Sequence, residues 1–297
     1  MVGCTASGKS AAALEIARAL GDVEVVTADS MQVYRGMDIA TAKATAAERA
    51  EVPHHLIDLV EPTAAWAVTD WVAAAREALA GIERRGHRAL LVGGTGLYVE
   101  ALIDGFAPPG RYPQVRADLE AEVGPAALAG LYARLCEVDP LAASRMEPTN
   151  RRRVIRALEV TLGSGTPFSK SGPGIAAHPP TRWRLAGLWL PRSAVAERIE
   201  RRFAAMVDAG LVAEVAGLAT SGMGRTARQA LGYREVLAHL EGGVALADAL
   251  DQAVRRTRAF ARRQRMWWRR DPRVAWLGTS ENPLAVVPTL LRDWTRP

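Results

Sequence analysis

A glycine-rich octapeptide at the start of a helical pattern is the strongest constraint in the sequence. Residues 3–10 read G-C-T-A-S-G-K-S and match the pattern G-x-x-x-x-G-K-[ST] at every defined position. In this pattern the glycines let backbone N–H groups face an anion, the lysine adds positive charge, and the last hydroxyl can reach a magnesium ion. The motif therefore predicts a site for a di- or triphosphate, although it does not specify the reaction.

The residues before this loop depart from the usual context. A phosphate-binding loop normally follows a buried strand, but only Met1 and Val2 precede Gly3. Either that strand is very short or the natural protein begins upstream of Met1. We expect the second, which an N-terminal peptide mapped from the native protein would test.

Strand and helix patterns alternate through the first hundred residues. The spacing of apolar residues predicts a helix over 8–20, a buried strand over 23–28 ending at Asp29, a helix with its N-cap at Thr69, and a second buried strand over 89–92. Such alternation is typical of a parallel sheet covered by helices. We therefore predict an α/β fold with a P-loop NTPase-like parallel sheet flanked by helices.

The pattern changes at residues 108–110, which read P-P-G. Residues 113–162 are predicted to be helical with two breaks, and residues 163–180 are rich in Gly, Ser and Pro. A strand is predicted again over 184–190, and helices over most of 193–270. We therefore predict an all-helical insertion domain within the α/β core. The predicted domains are residues 1–109, 110–180 and 181–297.

Composition excludes several classes of protein. Hydrophobic residues make up 49% and charged residues 24% of the chain, which is typical of a globular protein and not of a disordered one. No stretch approaches the roughly 18 apolar residues of a membrane-spanning helix. Cys4 and Cys136 cannot form a disulfide framework, and His54 and His55 have no further metal ligand nearby. We expect a cytoplasmic monomer without structural zinc.

The positive charge is concentrated in two segments. The net charge is +6, but residues 255–270 contain eight arginines and no acidic residue, so the rest of the chain is slightly acidic. Residues 151–156 contain four more arginines. Both segments indicate contacts with nucleic-acid phosphates. Trp267 and Trp268 could stack on bases or pack in the core.

Five further segments carry distinctive patterns. They are residues 27–43 (TADSMQVYRGMDIATAK), 53–58 (PHHLID), 93–98 (GGTGLY), 153–159 (RVIRALE) and 230–235 (ALGYRE). Together with the loop at 3–10, they resemble the tRNA dimethylallyltransferase (tRNA isopentenyltransferase) family and follow its order. The resemblance extends over nearly the whole chain and is far more specific than the loop alone.

The resemblance implies prenyl transfer to RNA. Members of this family attach the dimethylallyl group of dimethylallyl diphosphate to the exocyclic amine of the adenosine 3′-adjacent to the anticodon, in tRNAs that read codons beginning with U. The implied partners are dimethylallyl diphosphate and the anticodon stem-loop of tRNA. The loop would hold this diphosphate rather than ATP, with a magnesium ion on Ser10. Its residues are Gly3, Cys4, Thr5, Ala6, Ser7, Gly8, Lys9 and Ser10.

The resemblance also implies catalytic and base-binding residues. Asp29 would accept the proton of the attacking amine, while Ser10 and Arg202 would act on the diphosphate. Thr95 would contact the nucleotide. The residues that would frame the flipped adenine are Ser30, Met31 and Gln32. From the residues alone, Asp29 could instead be a magnesium-associated carboxylate or a helix cap, Thr95 part of a tight turn, and Arg202 the ion-pair partner of a glutamate.

Further residues are implied to bind tRNA from the predicted insertion. Arg116 matches a family arginine that contacts tRNA, although by itself it would be interpreted as a solvated helix residue. The second matching stretch consists of Arg152, Arg153, Val154, Ile155 and Arg156. Helical spacing places Ile155 on the buried side of its helix.

Three other functions compete with this one. An adenylate isopentenyltransferase acts on a free mononucleotide, which needs neither the insertion nor the basic segments. A P-loop small-molecule kinase is disfavoured by residues 29–32 and by the lack of a recognisable lid. A non-catalytic RNA-binding module is disfavoured by the intact loop at 3–10.

Overall fold

The computed structural model describes residues 1–105, 108–122, 124–171 and 177–295. The chain forms two compact units: Met1–Asp104 with His178–Pro297, and Gly105–Ala177. We call them the core unit and the insertion unit. The sequence placed the corresponding boundaries at 109/110 and 180/181.

The core unit is built on parallel strands. They are β1 (Val23–Ala28), β2 (His54–His55), β3 (Arg88–Gly93), β4 (Leu185–Trp189) and β5 (Val274–Gly278). β1 pairs with β2 and β3, and β4 pairs with β5, all in parallel. The strands predicted at 23–28, 89–92 and 184–190 are thereby confirmed, as is the α/β fold.

Val2 joins the two groups of strands. It forms parallel bridges to Gly93 of β3 and Gly187 of β4. Its N–H donates to Ala186 O at 2.8 Å, and the Leu188 N–H donates to Val2 O at 2.9 Å. The loop at 3–10 therefore leaves from between β3 and β4, at the carboxyl ends of the strands, where α/β proteins place their ligands.

Helices occur in both units. In chain order they are α1 (Lys9–Leu20), α2 (Ala46–Glu51), α3 (Val68–Arg84), α4 (Gly96–Ile103), α5 (Pro113–Ala121), α6 (Pro125–Val138), α7 (Pro140–Ser144), α8 (Arg151–Ser164), α9 (Arg192–Asp208), α10 (Leu211–Ser221), α11 (Tyr233–Leu240), α12 (Leu246–Trp268) and α13 (Val287–Thr295). Within the described ranges, no single helix is long and apolar enough to cross a membrane. The pair α9 and α10 meets that criterion only jointly, across a 67° bend.

One predicted helix start is wrong. α3 begins at Val68 with Ala67 as its N-cap, and not after a cap at Thr69. The Asp70 carboxylate accepts the Ala67 N–H at 2.8 Å, so an acidic side chain in the first turn caps the helix start.

Apolar packing holds the ends of β1 and β3 in place. On one face of the sheet, Ile16 of α1 belongs to a buried cluster with Val25, Leu90 and Leu188. On α3, Trp71 is fully buried and its ring centroid lies 5.0 Å from that of Tyr98 on α4. The loops that follow these strands therefore rest on a rigid base.

The insertion unit is helical, as predicted. Its core cluster includes Leu119 of α5, Leu131 and Leu135 of α6, and Val154 and Leu158 of α8. α8 begins at residue 151, where the Asn150 side chain accepts the Arg153 N–H. The sequence did not predict the break between α7 and α8. Part of the Gly-rich segment predicted at 163–180, residues 172–176, lies outside the described residues.

Candidate active site

The loop at 3–10 wraps around its own lysine. Gly8 and Ala6 adopt positive φ values of 85° and 59°, which turn the chain into α1. Lys9 is buried, and its Nζ donates to Cys4 O at 2.6 Å and lies 3.5 Å from Ser7 Oγ. The lysine charge is thus enclosed by the loop, beside the N-terminus of the helix.

The amides of this loop are not equivalent. The Thr5 N–H donates to Gln264 Oε1 at 2.7 Å, and the Ser7 N–H donates to Cys4 O at 3.3 Å. The expectation that amides along the whole octapeptide face an anion is therefore wrong for Thr5 and Ser7, because their N–H groups serve the loop itself. The N–H groups of Lys9 and Ser10 lie in the first turn of α1, where a helix offers no acceptor of its own.

Lys9, Asp29 and Arg202 influence one another electrostatically. Burial lowers the pKa of Lys9 to about 8, and the negative charge of Asp29 partly offsets this effect. Burial also lowers the pKa of Arg202, again with Asp29 acting in the opposite sense. These three predicted site residues therefore lie close enough for the charge of each to act on the others.

A second arginine of α9 belongs to this site. Arg198 Nε donates to Ala6 O of the loop at 2.8 Å. Sequence reasoning singled out Arg202 and missed Arg198, although both lie on α9 four residues apart, at helical spacing for one face. Two guanidinium groups of α9 are therefore available beside the loop.

Asp29 directly follows β1 and begins a turn. Its Oδ1 accepts the Met31 N–H at 2.8 Å, which fixes the orientation of the carboxylate. The next helix begins only at Ala46, so the alternative of Asp29 as a helix cap is wrong. Ser30, Met31 and Gln32 are all half-buried, and Gln32 Nε2 donates to Thr41 O at 2.9 Å.

Lys43 holds the segment after Asp29 in shape. Its buried Nζ donates to Tyr34 O at 2.8 Å and contacts carboxylate oxygens of Asp38 at 2.5 Å and Asp58 at 2.6 Å. The Asp58 N–H donates in turn to Gln32 O at 3.1 Å. This ammonium group was missed as a functional candidate. One sequence feature could have pointed to it: Lys43 is one of only three lysines in an arginine-rich chain.

The turn at 93–96 lies beside the end of β1. The Thr95 N–H donates to Ala28 O at 3.4 Å, and Thr95, half-buried, precedes α4. The turn is also in close contact with α12. A Cβ on Gly94 would lie 2.2 Å from Gln264 Nε2, and a Cβ on Gly96 would lie 2.1 Å from Trp267 Nε1. The glycines therefore make room for α12, which agrees with the alternative of a tight turn. Because Thr95 bonds to Ala28, it also lies close to Asp29.

The arginine-rich segment does not present all its charges to solvent. Arg265 is buried, donates to Leu190 O and lies 3.9 Å from the ring centroid of Trp189. It therefore supports the fold, and the expectation that it contacts phosphates is wrong. Trp268 is 0% exposed and belongs to the core. Trp267 Nε1 donates to Glu100 Oε1 at 2.8 Å, so both tryptophans have packing roles.

Other arginines of this segment are paired or exposed. Arg256 contacts Glu235 at 2.5 Å, and Arg258 contacts Glu200 at 2.5 Å. The exposed ones are Arg255, Arg262, Arg263, Arg269 and Arg270. The surface able to attract phosphates is therefore smaller than the sequence indicated.

The predicted tRNA-binding residues of α8 divide by burial. Arg152 and Arg153 are exposed at the helix start. Val154 is 0% and Ile155 2% exposed within the core of the insertion unit, so neither side chain is available to RNA, and the burial predicted for Ile155 is confirmed. The 3.6-residue period places Val154 on the opposite face from Arg152.

Two further arginines of this unit share a buried carboxylate. Glu159 is 2% exposed and lies 2.9 Å from Arg156 and 3.1 Å from Arg116, which also contacts Glu120 at 2.8 Å. Arg116 is therefore not a freely solvated helix residue. The ion pairs fix the positions of both guanidinium groups.

The side chains near the loop bear on the magnesium prediction. In the described part of the chain, no group of three or more His, Cys, Asp or Glu side chains is arranged to hold a metal. Ser10 is exposed at the start of α1. Mg²⁺ is often held by one or two protein oxygens plus substrate phosphates, so a hydroxyl next to a phosphate cradle fits that ion. His55 Nε2 instead forms a hydrogen bond of 2.6 Å with Glu24 Oε2.

A cavity of about 270 Å³ lies elsewhere in the core unit. Its lining includes the first residues of three strands, Val23, Arg88 and Leu185. It is therefore at the amino ends of the strands, opposite the loop at 3–10. The candidate site is the open edge at the carboxyl ends.

Comparisons with known proteins agree with this geometry. The family model described as IPP transferase matches residues 32–271. A tRNA dimethylallyltransferase of Salinispora arenicola is 48% identical over 286 residues, covering 96% of this chain and 83% of that protein. The tRNA isopentenylpyrophosphate transferase structure from Bacillus halodurans has a TM-score of 0.72 at 37% identity, covering 99% of this chain and 93% of that one. A eukaryotic dimethylallyltransferase structure shares the fold, with a TM-score of 0.79 at 24% identity, covering 100% of this chain and 79% of that one.

Proposed function

The chain belongs to the IPP transferase family, and on that premise we propose that it transfers a dimethylallyl group from dimethylallyl diphosphate to tRNA. The acceptor is the exocyclic amine of the adenosine 3′-adjacent to the anticodon, in tRNAs that read codons beginning with U. One observation carries the proposal. The phosphate-type loop and the carboxylate of Asp29 lie together at the carboxyl ends of parallel strands, because Val2 before the loop bridges to Gly93 and Gly93 pairs with Ala28 before Asp29.

The loop side of the site suits the leaving diphosphate. The N–H groups of Lys9 and Ser10 at the start of α1, the Lys9 ammonium and the guanidinium groups of Arg198 and Arg202 all favour negative charge. Charge builds up on the diphosphate as the carbon–oxygen bond breaks, so these groups stabilise the transition state more than the bound substrate. A magnesium ion held by the Ser10 hydroxyl would supply further charge neutralisation.

The strand side of the site suits the acceptor. The amine nitrogen forms a bond to the terminal carbon of the dimethylallyl group while the bond from that carbon to the diphosphate oxygen breaks. The amine proton passes to the carboxylate of Asp29. Because the Met31 N–H already holds Oδ1, the carboxylate is oriented before the base arrives, and Oδ2 is the oxygen that takes the proton. Ser30, Met31 and Gln32 frame the base.

Exposed arginines suit the rest of the RNA. Arg152 and Arg153 at the start of α8 and the exposed arginines of residues 255–270 provide phosphate contacts, which add affinity and position without reading sequence. We propose that they bind the anticodon stem-loop. One copy of the chain suffices, since the loop, Asp29 and Arg202 belong to the same chain.

The test is a direct assay of the transfer. Purified protein is incubated with dimethylallyl diphosphate, magnesium and unmodified tRNA, and the tRNA is digested to nucleosides and analysed by mass spectrometry. We expect isopentenyladenosine. Parallel reactions with free AMP in place of tRNA, and with ATP in place of the prenyl donor, distinguish an adenylate isopentenyltransferase and a kinase. Prenylated AMP without modified tRNA, or consumption of ATP alone, would contradict the proposal.

A further inference from the structure

One peptide group of the diphosphate loop is bonded at both ends. The peptide between Cys4 and Thr5 is planar, so its carbonyl and its N–H point in opposite directions. The carbonyl accepts Lys9 Nζ at 2.6 Å, and the N–H donates to Gln264 Oε1 at 2.7 Å. Rotation of this peptide plane would break both bonds together.

Gln264 reaches the loop from a distant part of the chain. It lies on α12, 259 residues after Thr5, and is only 7% exposed. Its carboxamide lies against Gly94, where a Cβ would come within 2.2 Å of Nε2. The side chain is therefore confined between the loop at 3–10 and the turn at 93–96, with its acceptor oxygen directed to the loop.

We propose that Gln264 is a positioning residue for the diphosphate loop: by holding the Thr5 N–H, it sets the peptide whose carbonyl locates the Lys9 ammonium. The inference rests on the proposed function, in which the loop binds diphosphate. Lys9 reaches the substrate from a fixed position only while the Cys4 carbonyl keeps its direction. Gln264 itself need not touch the diphosphate.

A glutamine suits this role better than glutamate or methionine, which have similar size. Glutamate would keep an acceptor but would add negative charge next to an anion site, which opposes diphosphate binding. Methionine fills a similar volume but leaves the half-buried Thr5 N–H with a far weaker acceptor. The neutral carboxamide provides the acceptor without the charge, in a segment whose charged residues are all arginines.

The experiment compares Gln264→Met and Gln264→Glu with a control on the same helix. The control is Thr257→Val, because Thr257 is buried on α12 and close in size to valine. Residue-resolved hydrogen exchange reports on the Thr5 amide, and calorimetry measures the affinity for inorganic diphosphate with magnesium. Filter binding measures the affinity for tRNA, and thermal unfolding shows that each variant is folded.

We expect Gln264→Met to speed exchange at Thr5 and to weaken diphosphate binding, each by about fivefold, as for the loss of one hydrogen bond worth roughly 1 kcal/mol. Affinity for tRNA should stay within about twofold, and Thr257→Val should change neither readout. Gln264→Glu should keep the Thr5 amide protected while weakening diphosphate binding, since it retains the acceptor and adds the charge. A variant that keeps Thr5 protected but binds diphosphate more weakly would not be expected if Gln264 only packed the helix.

Unchanged Thr5 exchange or unchanged diphosphate affinity in folded Gln264→Met would overturn the inference. If that variant does not fold, loss of Thr5 protection in Gln264→Glu would overturn it instead. The readouts do not depend on prenyl transfer. Wild-type protein that binds diphosphate through a Gln264-dependent loop but modifies no tRNA would contradict the proposed function and leave this inference standing.

Discussion

Diphosphate affinity should depend on pH through Lys9, in a range where an ordinary lysine would not titrate. Lys9 is enclosed by the loop at 3–10, and burial lowers its pKa from 10.5 to about 8 in the free protein. A bound diphosphate stabilises the charged ammonium and therefore raises this pKa again. Because the protonated form binds better, affinity should fall as the pH rises above about 8.

The size of the effect follows from the two protonation states. In the free protein, a pKa of about 8 leaves Lys9 about 90% protonated at pH 7 and about 3% protonated at pH 9.5. If the complex keeps the pKa at or above its ordinary value, the affinity falls by about 30-fold over this range, or about 2 kcal/mol. Binding above pH 8 should also take up close to one proton.

Calorimetry with inorganic diphosphate from pH 7 to 9.5, in buffers of different ionisation enthalpy, measures both quantities. Lys9→Arg is the matched control, because a guanidinium stays protonated throughout this range and its affinity should not follow the same curve. The control also removes any contribution from the ionisation of the ligand. If the wild-type affinity changes with pH in the same way as that of Lys9→Arg, and binding takes up no proton, that result refutes the argument.

Three further predictions address the acceptor, the RNA and the fold. Asp29→Asn should lower the rate of tRNA prenylation by about 10²–10⁴ with little change in the dissociation constant for dimethylallyl diphosphate, in single-turnover assays; normal turnover would remove its role as base. Replacing Arg152 and Arg153 by Gln should weaken tRNA binding and reduce its salt slope by about 1 for each phosphate that the variant no longer neutralises, and an unchanged slope would argue against phosphate binding by these arginines. Arg265→Met should lower the free energy of unfolding by about 1–3 kcal/mol in urea titrations, whereas Arg255→Met should not; equal effects would contradict the burial of Arg265.

Local sequence patterns were enough to predict much of the architecture. The octapeptide at 3–10, the apolar runs of β1 and β3, and the helical period of residues 113–162 each depend on interactions within a few residues or on one buried face. These features follow from the sequence because backbone hydrogen bonding and amphipathic burial leave a regular spacing. The start of α3 was misplaced, since a threonine was favoured over the Asp70 carboxylate that caps it.

The placement of polar side chains was decided by the tertiary structure. Position along the chain grouped Arg265 with the exposed arginines of residues 255–270, but Arg265 is buried and donates to Leu190 O. In the same way, a contiguous basic stretch on α8 includes Val154 in the core of its unit. A charged segment in sequence is therefore not a charged surface in space.

The sequence by itself determined that residues 3–10 match the phosphate-binding pattern and that Asp29 directly follows the buried strand β1. Only the tertiary structure decided which amides of that loop face outward, because the partner of the Thr5 N–H is a glutamine 259 residues away. It also decided that Lys43 holds the segment after Asp29. Spacing along a chain records local order, whereas a hydrogen bond between distant segments depends on where the whole fold brings them.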